Sequence, residues 1–185
     1  MPIIKTNKES ILKHAIAEIK LHGYSNTTMS KIGDACGLIK GSIYHHFPSK
    51  EALGLECLRY IHSYFQENIF SIAYRNDIED AYKMVLFVEK TDEYFLKSIG
   101  GCLLGNLALE AAHDMDEYKE EIKAYFSNWE NALAHILEKK YGQKEAKTLA
   151  NDSIATLQGA IMMMNLYDDQ ERYLRVGKKL IQLLS

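Results

Sequence analysis

Residues 28–50 read TMSKIGDACGLIKGSIYHHFPSK, and the residue types fall where a helix-turn-helix needs them. Lys40, Gly41, Ser42, Tyr44 and His45 take the exposed start and outer face of its second helix. In this motif the second helix enters the major groove with its N-terminal residues against base edges. The chemistry is therefore recognition by hydrogen bonds rather than bond making. Ile32, Leu38 and Ile43 point inward as the plug of the unit. Gly33 offers the small surface where the first helix crosses the second, and Gly37 stands where the turn needs a positive φ.

The elements that must position this segment are helices. Thr6-Asn7-Lys8-Glu9 has the form of a capping box, and Ile11, Ala15 and Ile19 then give one apolar helical face, ended by Gly23. A short helix is expected from Thr27-Thr28 to about Cys36, and a third from about Lys40 to Phe47, stopped by Pro48. Ser49 caps a fourth, continuing to about Ile72. The helical pattern resumes over 77–90, 101–113, 116–141, 143–166 and 170–184, with breaks at Thr91-Asp92, Gly100-Gly101, Asp114, Gly142 and Asp168-Asp169. With only two prolines and no alternating strand pattern, the fold class is all-α, about nine helices. The division expected is a helix-turn-helix DNA-binding domain over residues 1–48 and a helical body over 49–185, for which ligand binding and dimerisation are the expected roles.

The 28–51 stretch resembles the TetR/AcrR family signature, of the form I-A-x-x-A-G-V-S-K-G-x-x-Y-x-H-F-x-S-K-E. Here it stands as Ile32-Gly33, Cys36-Gly37-Leu38-Ile39-Lys40-Gly41, Tyr44, His46-Phe47 and Ser49-Lys50-Glu51. The helix before it and the His22-Gly23-Tyr24 turn also match, so the specific resemblance covers about residues 8–60. The resemblance implies that Lys40, Gly41 and Ser42 face bases. It implies that Tyr44, His46 and Lys50 hold phosphates, with Thr28 and Ser30 adding contacts from the preceding helix. Ile39 departs from the pattern: the family usually has a hydroxyl residue there, which leaves the cap of the recognition helix in question.

In the body, GCLLGNLALEAAH (101–113) places Cys102, Asn106 and Glu110 on one helical face, with His113 a turn on. Such a stripe either lines a mostly apolar ligand cavity or is satisfied inside the bundle, Glu110 by a lysine and Asn106 by backbone. Met84, Phe87, Trp129 and Met163 join Cys102, Asn106 and Glu110 as the candidate ligand-binding set. Helix 143–166 lines up Ala146, Ala150, Ser153, Leu157, Ala160 and Met164; the last helix offers Tyr173, Leu174, Gly177, Leu180, Ile181 and Leu184. By the resemblance, these two helices pair with a second copy in a four-helix interface.

Charge and cysteine usage set the remaining bounds. Residues 1–60 hold eight Lys/Arg against five Asp/Glu, net +3, while the rest of the chain is net −6; a basic head suits a polyanion. Cys36, Cys57 and Cys102 form no CxxC pair, so neither a disulfide framework nor a metal centre is expected, and no cofactor is called for. No apolar run reaches the roughly 18 residues of a membrane span, and a cytoplasmic location is the default. An enzyme built on Cys102 and His113 is disfavoured, since eleven residues of helix separate them by about 16 Å.

The expectation is a homodimeric, one-component repressor that binds a palindromic DNA operator and is released by a small-molecule effector. The alternatives are a ligand-independent DNA-binding dimer, and a sensor of the same fold in which Cys102 meets electrophiles or oxidants in the first turn of its helix.

Overall fold

The computed structural model describes residues 8–185, which form nine α-helices and one 3-10 turn, with no strand among them. The helices are α1 (Lys8–His22), α2 (Met29–Cys36), α3 (Lys40–His46), α4 (Lys50–Asn68), α5 (Asp80–Leu96), α6 (Leu103–Glu110), α7 (Asp116–Tyr141), α8 (Gln143–Tyr167) and α9 (Gln170–Gln182). Two compact units divide the packing: residues 8–61 with 103–122, and residues 62–102 with 123–185. Packing thus does not follow the linear division at residue 48, because the start of α4, all of α6 and the start of α7 belong with α1–α3.

In the first unit, α1 buries Ile11, Leu12, Ala15 and Ile19 at helical spacing. The capping box begins at Thr6, which lies outside the described residues; Glu9 itself binds Lys13 and the Tyr60 hydroxyl. Helix α2 is closed at both ends. Thr28 accepts the Lys31 N–H at 3.2 Å, and Gly37 turns the chain at φ +66°. A Cβ on Gly33 would stand 2.8 Å from the Leu38 carbonyl oxygen, so the glycine admits the backbone of the α2–α3 turn. Pro48 follows α3, and the Ser49 hydroxyl accepts the Ala52 N–H at 3.1 Å to start α4.

Three helix boundaries depart from expectation. Helix α4 stops at Asn68, and a 3-10 turn over Phe70–Tyr74 follows, with Ile69, Phe70, Ile72 and Ala73 all buried. Thr91-Asp92 does not break α5. The buried Thr91 hydroxyl bonds back to the Phe87 carbonyl at 2.7 Å, so the β-branched residue sits inside the helix. Helix α6 is shorter than 101–113 because Gly100 and Gly101 are both left-handed, at φ +76° and +74°. An aromatic cluster of Phe65, Phe70, Phe95, Tyr125 and Trp129, with ring centroids 5.2–6.2 Å apart, makes the core of the second unit.

Gly33→Ala tests the closed α2–α3 turn. It should destabilise the protein by about 1–3 kcal/mol, because the atom it meets is backbone and cannot swing aside. The measurement is the urea midpoint, and an unchanged midpoint would mean that the turn has slack.

Candidate functional site

The α2–α3 pair presents one polar, accessible face. Thr28, Ser30, Lys40, Gly41, Tyr44, His45 and His46 are exposed, and Ser42 is half-buried. Ile43, on the opposite side of α3, is fully buried, and Phe47 closes the base, so α3 is held from beneath and open above. Nothing lies within 4 Å of where a Gly41 Cβ would be, so this position leaves the helix surface bare for close approach. Lys40 reaches over the Tyr44 ring, 5.7 Å from its centroid, and His45 meets His46 edge to face at 5.5 Å. Ile39, at the N-cap of α3, makes no side-chain cap and is 77% exposed. The departure at this position therefore does leave the first amides of α3 without a side-chain partner.

Lys50, which the resemblance assigns to a phosphate, lies in the DNA-free chain against the α1–α2 turn. Its ammonium lies 4.2 Å from the centroid of the Tyr24 ring and 3.5 Å from the Ser25 carbonyl oxygen. Burial there pushes its pKa down from the ordinary lysine range. Lys50 is thus tied to the α1–α2 turn.

That turn has a second anchor that composition and periodicity did not reveal. The Glu110 carboxylate accepts the backbone N–H groups of Tyr24 at 2.8 Å and Ser25 at 2.7 Å, one on each oxygen. Partial burial pushes the Glu110 carboxyl up, but the bonds from Ser25 and Tyr24, helped by Lys50, outweigh it and hold the pKa below the usual carboxylate range. Beside it the buried Tyr118 hydroxyl donates to the Glu51 carbonyl at 2.8 Å and meets the Tyr24 hydroxyl at 3.3 Å. A Cβ on Gly54 would overlap the Tyr118 hydroxyl, so α4 is notched to receive it.

The candidate ligand-binding residues do not assemble as one stripe. Asn106 and Glu110 are exposed and belong to the first unit, and Glu110 is occupied by the turn amides. In the second unit Met84, Phe87, Cys102 and Trp129 are buried, whereas Met163 is 38% exposed. Cys102 precedes α6 instead of lying in its first turn, and it is only 5% exposed, near the Tyr125 hydroxyl. Phe87 and Trp129 do come together, with Asp92, Leu157 and Tyr173, around a void of about 10 Å3. A larger hollow of about 720 Å3, lined by residues 76–81 with Lys139, Lys140 and Leu184, is open and polar. Among the described residues no cluster of His, Cys, Asp or Glu could hold a metal ion, and no helix is long and apolar enough to cross a membrane.

Comparison with known proteins agrees with this geometry. Residues 11–57 match the model of bacterial regulatory proteins of the tetR family, and residues 83–179 match the LmrA/YxaF-like transcriptional regulator C-terminal domain. The HTH-type transcriptional regulator YxaF of Bacillus subtilis is 28% identical over 94% of this chain and 93% of its own length. The HTH-type transcriptional repressor DhaR of Mycobacterium sp. (strain GP1) is 32% identical over 80% and 77%. A crystal structure of a TetR transcriptional regulator from Legionella pneumophila superimposes with a TM-score of 0.87 at 25% identity, covering 97% of this chain and 98% of that one.

Glu110→Ala should cost about 1–2 kcal/mol, the lower range for charged hydrogen bonds because the site is partly solvated. The pH dependence has a definite sign. The folded pKa is lowered, so the contribution of Glu110 is full above its unfolded value near 4.5 and is lost as pH falls through the folded one. Denaturant midpoints of the two proteins should therefore differ at pH 7 and converge on acidification. A gap independent of pH would show that the carboxylate is not the stabilising species.

Proposed function

The chain belongs to the TetR family of bacterial regulatory proteins, and we propose that it is a dimeric, cytoplasmic repressor that a small molecule releases from a palindromic operator. It is a DNA-binding transcriptional regulator, not an enzyme. The observation that carries the mechanism is α3 itself, buried through Ile43 and bare across Lys40, Gly41 and Tyr44. Lys40 and Ser42 read base edges, Gly41 lets the helix seat deeply, and Tyr44, His45, His46, Thr28 and Ser30 grip phosphates. Lys50 serves by fixing the α1–α2 turn. Repression is supported by the names of two relatives: the repressor DhaR, and IcaR of Staphylococcus aureus, a negative regulator of the biofilm operon icaADBC.

Dimerisation is supported by the outer face of α8. Ala155, Gly159, Met162 and Leu166 recur at four, three and four residues, all exposed, with Met162 at 59% and Leu166 at 68%. That spacing is a helix-pairing seam, and Gly159 has open space where its Cβ would be. A second copy covers it, with α9 alongside. Binding successive major grooves requires the two recognition helices of the pair to stand one DNA turn apart, roughly 34–36 Å.

The effector acts in the second unit, around Phe87 and Trp129. A ligand that favours the DNA-incompetent state shifts the pair by typically about 1–3 kcal/mol, carried along α4 and α7, which have residues in both units. The small volume of the chamber at rest favours one competing reading, a regulator without a ligand whose body serves only for pairing. Operator release by a compound bound in that unit decides between the two.

Two substitutions test the reading. Lys40→Ala should relax discrimination at one operator position by roughly 1–3 kcal/mol while leaving non-specific affinity nearly intact. Equal losses on operator and random duplex would remove Lys40 from base reading. Met162→Glu should convert the dimer to monomer in analytical ultracentrifugation and abolish tight operator binding. A dimer that survives it would place the interface elsewhere.

A further inference from the structure

The second unit holds a set of polar atoms that the fold leaves unsatisfied. Trp129 Nε1 is fully buried and closes no hydrogen bond, and the fully buried Tyr173 hydroxyl has only the Asp92 carboxylate near it, without a well-formed bond. Both residues line the void of about 10 Å3, room for at most one water. Folded proteins pair nearly all such groups, so orphans around one chamber mark a place where something else supplies the partner.

The charge of the chamber narrows what that is. Asp92 lines it from α5 and is half-buried, with the Tyr173 hydroxyl as its nearest donor. The charge that acts on it is the like-signed Glu89, and no ion pair to Asp92 occurs among the salt bridges of the described residues. Burial first, then Glu89, pushes the Asp92 carboxyl above its usual range, as expected of a carboxylate short of a counter-charge. Around it stand aromatic walls. Phe87, Trp129 and Tyr173 line the chamber, and Phe95, outside the lining, stacks on Trp129 with centroids 6.0 Å apart and meets Tyr173 at 6.1 Å. Gly177 also lines the chamber, and a Cβ there would lie 2.8 Å from Val88.

A lone carboxylate among aromatic rings attracts a positive charge on an apolar body and repels an anion. The donor-only indole N–H adds a requirement for an acceptor oxygen or nitrogen on that body. We propose that the chamber between α5, α7 and α9 is the binding site for an aromatic organic cation, a quaternary or protonated amine, with Asp92 as its counter-charge and Trp129 Nε1 as its orienting donor. The proposal rests on the reading of this chain as a small-molecule-responsive regulator and names the class of molecule. The chamber is closed at rest. The half-exposed Asp92 is where the cationic head enters, and the lining side chains swing aside for the body.

The chain has one tryptophan, and it lies in this site, so binding has its own optical readout. The probes are benzoylcholine, which carries ring, ester acceptor and quaternary nitrogen, and 3,3-dimethylbutyl benzoate, its neutral carbon isostere. Benzoylcholine should change Trp129 fluorescence saturably, and the isostere should bind at least about tenfold more weakly. Asp92→Asn should weaken benzoylcholine by a similar factor and leave the isostere unchanged. No saturable signal, an isostere or a simple phenol that binds as tightly as the cation, or an Asp92→Asn variant with unaltered affinity would each overturn the proposal. Should that variant fail to fold, the comparison of cation and isostere on the unaltered protein still decides. None of these titrations contains DNA. Cation binding with no effect on operator affinity would sink the inducer role alone. Operator release by a different compound, with no response to the cation, would sink this proposal alone.

Discussion

The DNA-reading end of this protein hangs on a hydroxyl in a notch. The Tyr118 hydroxyl fits against α4 only because residue 54 has no side chain, and from there it reaches the Glu51 carbonyl and the Tyr24 ring and hydroxyl. Beside it Glu110 holds two consecutive amides of the α1–α2 turn, and Lys50 covers the same turn from the start of α4. Three short helices of 15, 8 and 7 residues bury little on their own. The notch, the carboxylate and the lysine give them a fixed frame, and the bare face of α3 is only as well aimed as that frame is rigid.

The same economy explains the contrast between the two units. In the first, polar groups are satisfied in pairs: carboxylate to amide, phenol to carbonyl, hydroxyl to helix cap. In the second, the core is a set of packed rings in which Tyr125, Trp129 and Tyr173 keep polar atoms unpaired. A unit that must present one surface favours complete satisfaction. The second unit retains unmet hydrogen-bonding capacity, and two of these residues, Trp129 and Tyr173, border one small void.

The α2–α3 turn was legible in the sequence because its rules are local. A threonine cap, a left-handed glycine and a proline stop each act within a few residues. The long helices α7 and α8 were legible for the same reason, their ends marked by Asp114, Gly142 and Asp168. The end of α4 was not: Ile69, Phe70, Ile72 and Ala73 are buried in the 3-10 turn, yet their spacing suits one face of a continued α-helix equally well, so the residue types carry no stop signal. Glu110 was placed on a ligand-facing stripe because its partners, amides 85 and 86 residues away, leave no mark in side-chain type. Lys50 was similarly obscured: its spacing fits a phosphate contact, and only the position of Tyr24 turns it inward.

That long sequence separation has a consequence for the chain as it is made. Synthesis is vectorial, at about 5–20 residues per second, and α1–α3 leave the ribosome before α6 and α7 exist. Until residues 103–122 emerge, the nascent head lacks both Glu110 and Tyr118, and its turn amides and the Gly54 notch face solvent. The helix-turn-helix is therefore assembled early and finished late. A polypeptide released prematurely before α6 carries α1–α3 without the frame that steadies them, so a truncated product is a poor competitor of the complete protein for DNA.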